Sequence, residues 1–190
     1  MPILVFYSDR FASRIGYYPG IKHDHSFDLN MGMGSGGIEG QITMNLIEKS
    51  LEIALRAYKG QKDKAGETYI LHPLRIMAKM TSAEEMSVAL LHDVIEDSDI
   101  TADELLNDGI PDVVVEAVEA LTKMQGETYD QFVDRVKTNP LAAKVKVADI
   151  EDNINILRLH SVDTKDLERV KKYHKAWHAL KNTSAADADP

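Results

Sequence analysis

Six side chains stand out for the chemistry they could do: His72, the adjacent pair His92-Asp93, Glu96, Asp97 and Asp149. Each interrupts an otherwise apolar helical stretch. The run Leu90-Leu91-His92-Asp93-Val94-Ile95-Glu96-Asp97 alone sets four polar groups among leucine, valine and isoleucine. Burying an unpaired carboxylate costs several kcal/mol, roughly, unless it is paired, protonated or bound to metal. Two imidazoles and two carboxylates, with no sulfur, form a borderline-hard donor set suited to manganese, iron, zinc or magnesium-like use. Neighbours on a helix point about 100° apart, so His92 and Asp93 can flank an ion but not enclose it. His72 and Asp149 are the candidates to complete the cage. Glu96 and Asp97 lie three and four residues after Asp93, one helical turn on, where a general base or acid would sit beside a metal-activated water. Asn153 follows Asp149 by four residues and could orient water or a phosphate oxygen. Singly, each residue has an ordinary explanation, such as a helix cap at His72 or a solvated helix end at Glu96. Jointly, their spacing favours a site.

The elements that must position these groups are helices. Leu46, Ile47, Leu51, Ala54, Leu55 and Tyr58 follow three-four spacing, and Gly60 is a natural stop. A charged loop over 62–66 precedes Pro73, which suits a helical first turn. Ser82 with Glu85 and Thr101 with Glu104 are capping boxes. The first opens a helix expected to run through His92-Asp93; the second opens a short helix ended by Gly109. Further helices are expected from Pro111, over 129–137, from Pro140 through Leu157, and over 165–181. The fold class is all-α, a single multi-helix domain over 44–181. Residues 1–43 contain the glycine-rich Met31-Gly32-Met33-Gly34-Ser35-Gly36-Gly37 and read as a loosely structured extension, flexible or non-native. Residues 182–190 read as a disordered tail.

Composition narrows the function further. In 190 residues there is no cysteine, which removes disulfides and thiolate sites and fits a cytoplasmic protein. No apolar run reaches the roughly 20 residues of a membrane span, so no membrane partner is expected. A net charge of −9 argues against nucleic-acid binding. The charge is also unevenly placed. Between Met80 and Thr122 there are twelve acids and no lysine or arginine, whereas Arg56 to Lys79 holds six basic residues and two acids. One region can hold a cation while its neighbour holds an anion.

These residues resemble the HD superfamily of metal-dependent phosphohydrolases, and more closely the hydrolase domains of the RelA/SpoT type and their small stand-alone relatives. The strings that carry the resemblance are Gly66-Glu67-Thr68-Tyr69-Ile70-Leu71-His72-Pro73-Leu74, Ala89-Leu90-Leu91-His92-Asp93-Val94-Ile95-Glu96-Asp97, and Val145-Lys146-Val147-Ala148-Asp149 with Asn153. The resemblance spans about residues 44–180. It implies a compact HD-domain helical bundle holding one divalent metal, manganese in the first instance, on His72, His92, Asp93 and Asp149. It implies hydrolysis of the 3′-pyrophosphate of guanosine tetra- or pentaphosphate, with Glu96 and Asp97 catalytic and Asn153, Lys64, Lys62 and Arg56 meeting the nucleotide. Other readings are a phosphatase for NADPH or a nucleoside monophosphate, and a nucleotide-sensing module without turnover. A homo-oligomer is compatible with all of them. Relatives that bind guanine commonly carry Arg-Lys in the loop before His72, and the pair expected there in this chain is Asp63-Lys64. An acid offers no cation–π contact and repels phosphate, which leaves the base open.

Overall fold

Helix α3 (Ala83–Leu91) is the centre of the molecule, because Val88, Ala89, Leu90 and Leu91 are all fully buried. A helix apolar on every side must be surrounded. Here α1 (Leu46–Ala57), α2 (Leu71–Met77), α6 (Asp112–Leu121) and α8 (Pro140–Asn153) pack around it. The computed structural model describes residues 45–181. The extension expected over 1–43 and the tail expected over 182–190 lie outside the described residues. Among the described residues there is no β-strand, only an isolated bridge between Lys62 and Thr68. The all-α expectation therefore holds. No helix among them is long and apolar enough to cross a membrane.

The remaining elements are α4 (Val94–Asp97), α5 (Ala102–Asn107), α7 (Tyr129–Val136), a 3₁₀ turn (Ile156–Arg158) and α9 (Thr164–Lys181). Both expected capping boxes form, Ser82 with Glu85 and Thr101 with Glu104, and two more open α1 at Asn45 and α7 at Thr128. Each satisfies two amide N–H groups that a helix start would otherwise leave bare. Gly60 and Gly109 adopt φ of +80° and +77°, as helix-terminating glycines do. At Gly109 a Cβ would lie 2.9 Å from the Lys49 ammonium as well.

Two helices end earlier than their periodicity predicts. The run through His92-Asp93 is broken: α3 ends at Leu91, Asp93 has φ −107° and ψ 2°, and α4 begins at Val94. This break frees the two side chains from the fixed angle of a continuous helix. Likewise α8 ends at Asn153, not Leu157, and the chain tightens into the 3₁₀ turn that points Arg158 inward. Leu157 is left 93% exposed.

Since the site hangs from the end of α3, Leu90→Ala should lower unfolding free energy by about 2–5 kcal/mol. Urea denaturation measures it, and a loss well under that range would show that α3 is not the packing centre.

Candidate metal centre and its cationic cavity

His72 and His92 enter the same space from two helix ends. Their rings meet edge to face, with centroids 5.2 Å apart. The Nδ1 of His92 donates to the carbonyl of Ala89 at 2.9 Å, the geometry that leaves Nε2 as a bare lone pair. That Nε2 is buried and has no hydrogen-bond partner. It lies 3.0 Å from Asp93 Oδ2, close enough for attraction but not aligned as a hydrogen bond. The Nδ1 of His72 donates to Asp152 Oδ2 at 2.7 Å, and its Nε2 faces Asp149 Oδ1 at 3.2 Å. Donor atoms of His72, His92 and Asp149 all lie within 4.8 Å of one another, a group able to hold a metal ion. An orphaned buried imidazole nitrogen beside a second imidazole and a carboxylate fits a divalent cation of the manganese, iron or zinc kind.

Asp93 is placed differently from its three partners. Its Oδ2 accepts the hydroxyl of Tyr69, and the carboxylate falls outside the group of mutually close donors. Asn153 donates to Asp149 Oδ1 at 2.5 Å, so it braces the ligand from the same helix face. Glu96 accepts the backbone N–H of Lys123 at 3.1 Å and stands at the cavity wall with Asp97. The loop holding Lys123 is clamped from α7: Arg135 donates to the carbonyls of Ala120 and Thr122 and bidentately to Glu127.

Electrostatics follow from this crowding. Burial pulls the His72 imidazolium down, but hydrogen bonds to Asp149 and Asp152 outweigh it and place its pKa at about 9. Burial would push Asp149 up, yet Lys146 and the two histidines hold it well below the usual carboxylate range. Burial raises Asp97, and the nearby carboxylates of Asp93 and Glu96 raise it further. Burial lowers Lys172, and Lys123, Lys146, Lys64 and Arg169 add repulsion. So many like charges facing one space favour an anion between them.

That space is a cavity of about 580 Å³, lined in part by His72, Asp93 and Asp149. Lys62 and Lys64 line it, as expected from the sequence. Arg56 does not. It points away to pair with Asp108 at 3.1 Å and borders a separate cleft beside Ser98. Arg56 belongs to the last turn of α1, which ends at Ala57, and its side chain is exposed there. Asp63 also differs from expectation. Its Oδ1 caps the amides of Ala65 and Glu67 at 2.9 and 3.0 Å, and its Oδ2 pairs with Arg158 at 3.0 Å. It still lines the cavity beside Lys62 and Lys64, but its charge is paired with Arg158.

Several residues of the site were not legible beforehand. Asp152 orients His72 and is gripped by Arg75 at 2.7 Å; its only sequence signal is its place three residues after Asp149. Lys123, Lys146, Arg158, Arg169 and Lys172 bring positive charge from four separate segments, and Tyr69, Tyr129 and Tyr173 complete the walls. Arg169 and Lys172 share a face of α9 by three-residue spacing, a weak signal on a helix rich in lysine.

Comparison with known proteins bears on the family and the fold. Residues 50–158 match the family model described as HD domain. A GTP pyrophosphokinase of Streptomyces coelicolor is 31% identical over 152 residues, covering 73% of this chain and 17% of that protein. A guanosine-3′,5′-bis(diphosphate) 3′-pyrophosphohydrolase of Aquifex aeolicus is 32% identical over 123 residues, covering 58% of this chain and 18% of that protein. The chain thus spans less than a fifth of the length of these relatives. Among solved structures, a metazoan SpoT orthologue described as hydrolysing ppGpp aligns with a TM-score of 0.57 at 19% identity. That alignment covers 77% of this chain and 97% of the other, and it establishes the fold.

Asp152→Asn keeps the shape of the His72 support but removes its charge, and should weaken manganese binding about 10- to 100-fold. Unchanged affinity in a manganese titration would rule out that support. Ligation needs a neutral imidazole, so binding must expel the His72 proton. Affinity should therefore climb as pH rises toward about 9 and level off above it. A flat pH profile would contradict this.

Proposed function

The chain belongs to the HD-domain family, and from that premise and the shape of its site we propose that it is a metal-dependent phosphohydrolase of a phosphorylated nucleotide. The substrate we assign is guanosine 3′,5′-bis(diphosphate), and the products are GDP and pyrophosphate. One observation carries the reading. A two-imidazole, one-carboxylate cage adjoins a cavity in which the lysines and arginines outnumber the carboxylates, the complement of a polyphosphate over a divalent cation. The names of the relatives from Aquifex and from a metazoan supply the nucleotide.

His72, His92 and Asp149 are the proposed ligands, with Asp93 as the fourth and manganese as the ion. A divalent cation there supplies a Lewis acid that polarises a phosphoryl oxygen and makes water acidic enough to attack near neutral pH. The protein's own groups do the rest. Glu96, oriented by the Lys123 amide, takes a proton from the attacking water. Asp97, whose carboxyl burial and neighbouring acids push upward, returns a proton to the departing 3′ oxygen. A bond forms from water oxygen to phosphorus as the phosphorus–3′ oxygen bond breaks. Lys62, Lys64 and Asn153 hold the nucleotide with Arg169 and Lys172, cations the sequence did not single out. Arg56 has no part in it.

Manganese-loaded protein should release pyrophosphate from guanosine tetraphosphate. Glu96→Gln should retain metal and lose about 10²- to 10⁴-fold in kcat. Absence of pyrophosphate from the wild-type protein, beside an active control hydrolase, would reject the substrate. Release of orthophosphate from NADPH or a nucleoside monophosphate instead would redirect it. In the same assay Arg56→Ala should leave KM unaltered whereas Arg169→Ala should raise it.

A further inference from the structure

Lys146 differs from the other lysines of the cavity, since it sits against the cage itself. Its Nζ lies 2.8 Å from Asp149 Oδ2, and its side chain is only 13% exposed. The ammonium also stands over the Phe132 ring, 5.1 Å from the centroid. A fixed positive charge beside a metal ligand opposes the binding of a divalent cation. The Asp149 carboxylate and the Phe132 ring stabilise the buried ammonium, but metal retention alone gives no reason to place it there. The division of labour on Asp149 supplies one. Oδ1 faces the Nε2 atoms of His72 and His92 at 3.2 and 3.9 Å, while Oδ2 is turned away to Lys146.

We propose that Lys146 is a positioning residue that weakens metal binding and speeds turnover. It does so in two ways. By holding Oδ2, it leaves Oδ1 as the single oxygen of Asp149 that faces the two imidazoles. That restriction keeps the second carboxylate oxygen from taking a place that a phosphoryl oxygen needs. By its charge, it offsets one of the two carboxylates proposed as ligands. Asp93 and Asp149 alone would neutralise a divalent cation, whereas with Lys146 present one positive charge remains to meet a polyanion. The gain in turnover rests on the hydrolase reading; the weakening of metal binding rests on the cage alone.

The two effects give opposite signs in one set of variants, which a purely structural lysine would not. Lys146→Met and Lys146→Gln remove the charge, and Lys146→Arg keeps it. Manganese itself is the probe, titrated by the electron paramagnetic resonance of the free ion. The neutral variants should bind manganese about tenfold tighter or more, while kcat falls about a hundredfold and KM moves less. Lys146→Arg should keep wild-type metal affinity. Weaker manganese binding in both neutral variants would overturn the proposal, because it would mean that Lys146 merely props Asp149. So would Lys146→Arg behaving like Lys146→Met. Where Lys146→Met fails to fold by circular dichroism, the Gln and Arg pair carries the same comparison. If the wild-type protein turns over no nucleotide, the hydrolase reading fails by itself, and the manganese titration still decides whether Lys146 opposes the metal.

Discussion

The carboxylate of Asp152 is the contact on which the site depends. Its oxygens receive the Nδ1 proton of His72 at 2.7 Å and two donors of Arg75 at 2.7 and 2.9 Å, and Arg158 approaches Oδ2 at 3.4 Å. Without that acceptor the imidazole could take either tautomer and turn in its slot. With it, Nε2 points at Asp149, and two guanidiniums are gathered behind the cage. Burial disfavours the ionised carboxylate, but the His72 and Arg75 contacts reverse that and hold it charged. A buried charge is tolerable here because every oxygen is met by a charged or polarised donor.

The same logic ties the loop before His72 to the metal centre. Arg158 bridges Asp152 and Asp63, and Asp63 caps the turn that carries Lys64. The loop that carries Lys62 and Lys64 and the histidine are therefore tied to one ion-pair lattice. On the opposite wall the arrangement is built from backbone. Arg135 fixes a short loop through its carbonyls, and that loop's amide fixes Glu96. Two separate braces thus hold the two halves of the proposed chemistry.

The helical class and the main polar insertions were readable because apolar spacing and capping pairs are local signals. Ser82 with Glu85 declares a helix start within four residues, and His72, His92 and Asp149 interrupt apolar surface visibly. What was hidden is long-range. Asp63 looked like an acid in the path of a phosphate, but its carboxylate is consumed by Arg158, 95 residues away. Arg56 looked like part of a basic block, and the helix that carries it faces elsewhere. The break after Leu91 has no proline or glycine to announce it, since Asp93 is stabilised there by Tyr69 and the histidine beside it. The cations of α9 reach the cavity only through tertiary packing, which no periodicity reveals.

The early end of α8 has a cost borne at the surface. Continuing the helix would have kept Leu157 on the apolar stripe with Ile150 and Ile154, and Arg158 would have pointed elsewhere. Unwinding after Asn153 aims the guanidinium at Asp63 and Asp152, and it leaves Leu157 almost wholly wetted. Evolutionary tolerance at these neighbouring positions should therefore be opposite in kind. Leu157 is free to drift toward polar residues, with solubility as the gain, while Arg158 can be replaced only if both of its acids change with it.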